Sequence, residues 1–251
     1  MAPFVEKSLD LQLMLEADFT PGLAASLMAG MGSLIESLRQ GVLPLALPQV
    51  EQQRVLTSLA AMRQAAIERT IQLVFEEYRP KKSTDTMLVQ RAIDSFFELH
   101  GRRTAAQINN TTERQIEALI SGGLRRGEAQ QTVMQSVLDR LPEIANLRAM
   151  LITGTDIHAA TQFASQRAAE ATGQLTKKSW HSTPDNRTRD FGISGKISQF
   201  NHRVMHGDSV PLTQSFLVPT KFGGVEGLYF PGDPNGSPGN VINCRCVQTY
   251  E

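Results

Sequence analysis

The stretch TDIHAATQFASQRAAEATG, residues 155–173, marks the point where the sequence changes from helical patterns to short runs broken by turns. Small or apolar side chains recur in it at helical spacing: Ile157, Ala160, Ala164, Ala168 and Ala171. Such a stripe predicts a buried helix face, and small residues let neighbouring helices approach closely. Gly173 then supplies the glycine that often follows the last helical turn. We therefore predict a tightly packed helix that ends at Thr172.

Upstream of this stretch the sequence predicts a region of five or six helices. Helix starts are indicated at Thr20–Pro21, Gln49, Ser83–Asp85, Thr104, Glu128 and Thr155. Stop signals are indicated at Gly41, Pro80, Gly101 and Gly122–Gly123. These assignments follow from N-capping side chains, from proline in a first turn and from glycine or proline after the last turn.

Downstream of Gly173 the helical period disappears. Apolar residues stand in short runs between Gly, Pro, Asn and Asp, and PGDPNGSPGN (231–240) consists almost entirely of turn-forming residues. The sequence thus predicts an α+β chain: a multi-helix all-α domain over residues 1–173, followed by a small, loop-rich α+β or mainly β module over 174–251. A module of that size buries little core and needs the helices, a metal or a partner for stability.

Composition and charge exclude several classes of protein. The chain has 251 residues, with 25 Lys and Arg against 25 Asp and Glu, which argues against a polybasic protein that neutralises phosphate over its whole surface. Two cysteines are too few for a disulfide scaffold. The start, MAPFVEKSLDLQ, lacks a signal-peptide pattern, and Phe19–Ile35 is marginal as a membrane span. We therefore expect a soluble, intracellularly made protein with no stable membrane span.

A series of motifs in the second half is specific in its order. It reads W-x-S-x-x-D-x-R-T-R from Trp180, then H-x-x-M-x-G from His202, then PGDP over 231–234 and NCRC over 243–246. This series resembles the C-terminal domain of the phage Mu F-like minor head proteins, also called phage head morphogenesis proteins, over residues 174–250. In that family the histidine follows the R-T-R run closely. Here residues 190–201 intervene, so either this segment is an insertion loop or Phe191 takes the place of the histidine.

The resemblance implies a minor structural protein of a tailed-phage head, without a defined catalytic activity. It implies a place at the portal vertex of the virion, with assembly in the host cytoplasm. Portal protein and major capsid protein are the implied partners, and packaged DNA is a further one. The motif residues that would maintain the module are Trp180, Asp185, Asp233, Asn243 and Arg245.

Three of the motif residues form a candidate metal site. Cys244 and Cys246 point to the same face if they lie on a strand, and together with His202 they would offer zinc three ligands. Asp185, His181, His206 or water would be the fourth. The alternative is that both thiols are small buried apolar groups and that His202 caps a turn. One enzymatic alternative uses the same residues as a Cys–His nucleophile pair. Another is a zinc-binding enzyme or toxin-like effector built on the same module.

Arginines supply the candidate contacts with DNA or with a partner. They occur as the pairs Arg102–Arg103 and Arg125–Arg126, and as Arg187 and Arg189 in the turn STPDNRTRD. A DNA-binding assembly factor would use them on phosphates. The alternative is structural: cations complement helix C-termini, and arginines pair with nearby carboxylates such as Asp190 or Asp208 to brace the turn.

Overall fold

The computed structural model of the chain describes residues 3–43, 52–78, 86–183, 185–192 and 196–251, with the side chains of 52, 101–107, 109 and 196 outside the description. Its larger helices are α1 Pro3–Ala29, α2 Gly32–Arg39, α3 Gln52–Tyr78, α4 Thr86–Phe96, α5 Arg102–Arg125 and α6 Gln130–Thr172. A π-helical turn, Phe97–Gly101, joins α4 to α5. The α+β prediction, with helices first and a small strand region last, is confirmed.

The strand region begins five residues after α6 ends. It contains β1 Lys177–His181, β2 Arg189–Asp190, β3 Lys196–Ile197, β4 Ser209–Pro211, β5 Phe216–Pro219, β6 Val225–Leu228 and β7 Val247–Tyr250, together with the 3-10 turn Arg203–Met205 and the short helix α7 Pro238–Val241. An antiparallel sheet has the order β4-β1-β7, and β5 pairs antiparallel with β6. β2 and β3 form a short parallel pair.

Several helix boundaries differ from the sequence prediction. The predicted start at Thr20–Pro21 is wrong, because α1 continues through Pro21. A proline in a helix interior removes one backbone hydrogen bond, and burial of Leu23 and Leu27 in the following turns offsets that loss. The separate helices predicted at Glu128 and Thr155 are one helix, α6, with Pro142 and Gly154 inside it. Gly101, predicted to end a helix, lies in the π-helical turn that joins α4 to α5, so no helix ends there.

The described residues fall into two compact units. The first draws on Met1–Glu16, Arg63–Phe96 and Gly154–Glu251, and the second on Ala17–Met62 and Phe97–Thr153. The second unit buries one stripe of α6, including Val133, Val137 and Leu141. The first unit crosses the boundary predicted after residue 173, although α6 does end at Thr172. The division into domains 1–173 and 174–251 stays a prediction.

Within the first unit, β7 lies against the C-terminal part of α6. The Gln248 backbone N–H donates to Gln162 Oε1 at 3.2 Å, and the Gln248 side chain donates to the Gln162 carbonyl at 3.0 Å. Tyr250 donates its hydroxyl to Ser165 at 2.8 Å. The predicted close packing of this helix is confirmed for Ile157, Ala160, Ala164 and Ala168, which are fully buried, whereas Ala171 at its end is exposed.

A buried ion pair joins two helices of the first unit. Arg63 on α3 donates to both carboxylate oxygens of Asp156 on α6, at 2.6 and 2.8 Å. The Arg63 guanidinium also lies 5.6 Å from the centre of the Phe96 ring. Bidentate geometry of this kind offsets the cost of burying both charges.

None of the helices in the described ranges combines the length and the apolar character that a bilayer crossing requires.

Candidate metal centre

The described residues on either side of 193–195 pair with each other, between the R-T-R run and His202. β2 and β3 pair with Arg189 opposite Lys196 and Asp190 opposite Ile197. The His202 backbone N–H then donates to the Arg189 carbonyl at 3.0 Å. His202 therefore lies directly beside the R-T-R run in space. This proximity is what the insertion-loop alternative for residues 190–201 predicts.

His202, Cys244 and Cys246 converge in the core of the C-terminal module. His202 Nδ1 lies 3.6 Å from Cys244 Sγ and 3.6 Å from Cys246 Sγ. All three side chains are buried, and one ligand atom from each lies within 4.8 Å of the others. Asn243, with a φ of 59°, makes the left-handed turn that leads into the two cysteines. The structure thus brings together the three residues that the sequence proposed as metal ligands.

The two thiols differ in acidity. Burial by itself raises the pKa of Cys244, but the hydrogen bond from Cys246 and the charges of Arg189 and Arg245 outweigh it, so that the pKa falls below its ordinary value. Burial and the neighbouring Cys244 raise the pKa of Cys246 well above its ordinary value. Cys244 is therefore the more acidic thiol of the pair.

Two residues that sequence reasoning missed lie behind the histidine. Asn240 Oδ1 is 2.6 Å from His202 Nε2, and Asn240 Nδ2 donates to Glu226 Oε2 at 2.8 Å. Glu226 also accepts from the backbone and the hydroxyl of Ser237, at 2.5 and 2.9 Å. Asn240 ends the turn-rich run 231–240, and Glu226 lies on strand β6. No spacing pattern in the sequence links either residue to His202.

The side chains named as a fourth ligand are bound elsewhere. His181 Nε2 lies 2.8 Å from the Thr249 hydroxyl, and His206 Nδ1 accepts from the Ser182 backbone N–H at 3.2 Å. Asp185 is bound by Arg245. In the part of the chain that the structure describes, the metal-type cluster consists of His202, Cys244 and Cys246.

The D-x-R-T-R and NCRC motifs meet in one brace. Arg245 Nη2 donates to both oxygens of Asp185, at 2.5 and 2.6 Å, and the Arg187 backbone N–H donates to the same carboxylate at 2.9 Å. Burial raises the pKa of Asp185, but these hydrogen bonds outweigh it and lower that pKa to about 2. The brace fixes the segment that carries both cysteines against the turn that precedes His202.

The PGDP motif has a structural role at the surface of α6. Asp233 accepts from the backbone N–H groups of Tyr229 and Asn235, both at 3.0 Å, and so closes the turn. Gly232 has a φ of 79°, and a Cβ at this position would lie 2.4 Å from His158 Cδ2. Only glycine fits a left-handed position so close to a buried ring.

Trp180 forms the centre of the module core. It is fully buried beside Phe216 and contacts the His202 ring edge to face, with the ring centres 5.3 Å apart. The core also holds Met205, Val218 and Leu228, together with both cysteines. The metal-type cluster is therefore part of the apolar core.

The arginine candidates occupy different environments. Arg125 and Arg126 are exposed at the end of α5, where Arg126 pairs with Glu128 at 2.7 Å. Arg187 is exposed and lies 3.5 Å from Asp185. Arg189 is buried and donates to the Ile242 carbonyl. The side chains of Arg102 and Arg103 lie outside the described residues.

This arrangement suits one kind of chemistry better than another. Two thiols and an imidazole nitrogen around one point are ligands for a soft or borderline metal such as zinc. The same groups form a Cys–His pair oriented by an amide, which is an arrangement for nucleophilic attack. A substrate must reach the sulfur for that, and His202, Cys244 and Cys246 are 1, 2 and 2% exposed. Burial favours metal binding.

Comparison with known proteins identifies a family for the larger part of the chain. A family model described as "Phage Mu protein F like protein" matches residues 114–249, which is more than half of the chain. The match starts within α5, includes all of α6 and ends within β7. It therefore extends upstream of residues 174–250, the range over which the motifs indicate the resemblance.

A relative in Bacillus subtilis (strain 168), described as "Uncharacterized protein YqbB", is 22% identical over 184 residues. The aligned region is 73% of this chain and 56% of the relative, so the chain spans little more than half of that protein's length. No solved structure matches the chain significantly.

Proposed function

Since the chain belongs to the phage Mu F-like protein family, we propose that it is a minor structural protein of a tailed-phage head, associated with the portal vertex. It acts in head assembly, DNA packaging or ejection through contacts with the portal protein and the major capsid protein. The family match over residues 114–249 is the observation that carries this proposal. In this proposal the helices contact the portal or further copies, and the C-terminal module is a docking unit.

The chemistry of the module supports a structural role. Its motif residues contact one another: Asp185 with Arg245, Trp180 with His202, and Asp233 with its own turn. The cysteines and the histidine are enclosed in the core. Because its motif residues bind one another, the module is rigid and can present a fixed surface to a partner.

Quantitative mass spectrometry of purified particles, combined with cross-linking, tests the proposal in the phage or prophage host that encodes this chain. We expect a few copies per particle, with cross-links from the helices to the portal. Absence from mature and immature particles alike would contradict a head protein. A gene deletion is expected to give defective particles, and normal infectious particles would contradict an assembly role.

The same proposal includes contact with packaged DNA, which the exposed arginines would make. Of the arginines that were named from the sequence and whose side chains the structure describes, the exposed ones are Arg125 and Arg126 at the end of α5 and Arg187 on the turn before His202. Arg189 is a brace within the module, since its guanidinium is buried against the Ile242 carbonyl.

Zinc is the ion that we propose for the cluster of His202, Cys244 and Cys246. Two thiolates and one neutral imidazole are characteristic zinc ligands, and water is proposed for the fourth position. The metal would replace the proton of Cys246 and would join segments that the small core holds only weakly. One zinc per chain is expected in protein purified without chelators and analysed by inductively coupled plasma mass spectrometry. Metal-free protein under zinc-replete expression would contradict the assignment.

A further inference from the structure

We infer that Asn240 and Glu226 are positioning residues of the metal site, which select Nδ1 of His202 as its ligand atom. This inference rests on the proposed zinc site and names the residues that set its affinity. Neither residue has an atom in the cluster itself. Both act through the histidine ring, by hydrogen bonds on the side away from the sulfur atoms.

The direction of each hydrogen bond in this relay is fixed by the carboxylate at its end. An ionised carboxylate can only accept, so Asn240 must direct its NH₂ group toward Glu226. Its amide oxygen then faces His202 Nε2 at 2.6 Å, and an amide oxygen can only accept. Nε2 must therefore carry the proton. In the neutral ring this leaves the lone pair on Nδ1, which faces the two sulfur atoms at 3.6 Å.

Glu226 is held ionised and in place by further contacts. The Ser237 backbone N–H and hydroxyl donate to it at 2.5 and 2.9 Å. Burial raises its pKa, but the hydrogen bonds from Ser237 and Asn240 outweigh that effect and lower the pKa. The carboxylate is therefore a reliable acceptor, and it ties strand β6 to the first turn of α7.

The ring itself has little freedom to rotate. Trp180 packs edge to face against it, and the His202 backbone N–H is bound to the Arg189 carbonyl. The relay therefore need not hold the ring by itself, and its specific contribution is the choice of tautomer. Hydrogen-bond partners behind a ligating histidine commonly change metal affinity by about 10–100-fold.

Zinc affinity of the full-length protein tests the inference, measured by competition with a chromogenic chelator under reducing conditions. Asn240→Ala is expected to weaken Zn²⁺ binding about 10–100-fold. The double variant Asn240→Asp with Glu226→Gln exchanges the amide and the carboxylate and keeps every donor facing an acceptor. We expect it to bind Zn²⁺ more tightly than Asn240→Ala, and far-ultraviolet circular dichroism checks that each variant is folded.

Two further variants separate this inference from the zinc proposal. Cys244→Ser removes a ligand and should lose tight Zn²⁺ binding, whereas Asn235→Ala, outside the relay but in the same loop, should keep it. If the wild type itself binds no Zn²⁺ tightly, the zinc site is wrong. If the wild type binds through its cysteines and Asn240→Ala binds equally well, the zinc site stands and the relay is wrong.

The protonation of His202 gives a readout that a merely structural role would not change. In zinc-loaded protein labelled with ¹⁵N-histidine, nuclear magnetic resonance should show the proton of His202 on Nε2. A proton on Nδ1 in the loaded wild type would overturn the inference, even if Asn240→Ala weakens binding.

Discussion

Replacing Gly232 with alanine is expected to lower the free energy of unfolding by about 2–5 kcal/mol, from a left-handed backbone cost of roughly 1–2 kcal/mol and an overpacking cost of roughly 1–3 kcal/mol. The first cost follows from the φ of 79° at this position. The second follows because the new Cβ would lie 2.4 Å from Cδ2 and 2.8 Å from Nε2 of His158. His158 is buried, and its Nδ1 lies 3.3 Å from Gln12 Oε1, so the ring cannot easily move aside.

Gly223→Ala is the matched control for this substitution. Gly223 has a nearly identical φ of 83°, and a Cβ there would meet no described atom within 4 Å. It should therefore show only the backbone cost, about 1–2 kcal/mol. Urea unfolding of both variants measures the difference. Equal losses at the two positions would show that the contact with His158 contributes nothing.

Lys178 is expected to contribute a rise in the stability of the protein between pH 7.5 and 9.5. Burial lowers the pKa of this amine to about 8, although Glu170 and Asp233 partly oppose the shift. Its Nζ donates to the Tyr229 carbonyl at 2.6 Å and lies 3.8 Å from the centre of the Tyr229 ring. Above pH 8 the folded amine has released a proton that the unfolded amine keeps until about pH 10.5. The folded state then binds fewer protons, so raising the pH favours it.

Lys178→Met should remove about 1.5 kcal/mol of this rise, measured as the difference in unfolding free energy between the two pH values. Lys177→Met is the matched control, because Lys177 is the exposed neighbour on the same strand. The control should keep the pH dependence of the wild type. An identical slope in wild type and Lys178→Met would mean that the buried amine keeps its ordinary pKa.

The sequence predicts the succession of elements better than their ends. The change of pattern at Gly173 is confirmed by the end of α6 at Thr172 and by a φ of 66° at the glycine. Pro21, predicted at a helix start, lies inside α1, and Gly122–Gly123, predicted to end a helix, lies inside α5. Pro142 and Gly154 likewise lie inside α6. Local propensity costs about 1–3 kcal/mol at such a residue, and burial of the surrounding helix face exceeds it.

The candidate ligand residues could be named from the sequence, but the hydrogen-bond partners that surround them could not. His202 and the two cysteines are residue types with a recognisable chemistry and a recognisable order. Asn240 and Glu226 look like ordinary turn and strand residues, and only the tertiary fold places them behind His202. The brace between Asp185 and Arg245 spans 60 positions, so its partners could be identified as motif residues but not as a pair.

The first compact unit is assembled from stretches that lie far apart in the sequence. Gln12 donates to Thr161, 149 positions away, and Arg63 donates to Asp156 across 93 positions. Such contacts incur the entropy cost of closing long loops before they contribute stability, which slows folding. The helices should therefore form first in folding, and the strand region should pack onto them in a later step. For recombination between related phages, the exchangeable piece would then be the whole chain, because the stretches of this unit alternate with those of the second unit and a strand region moved alone would lose the helices it packs on.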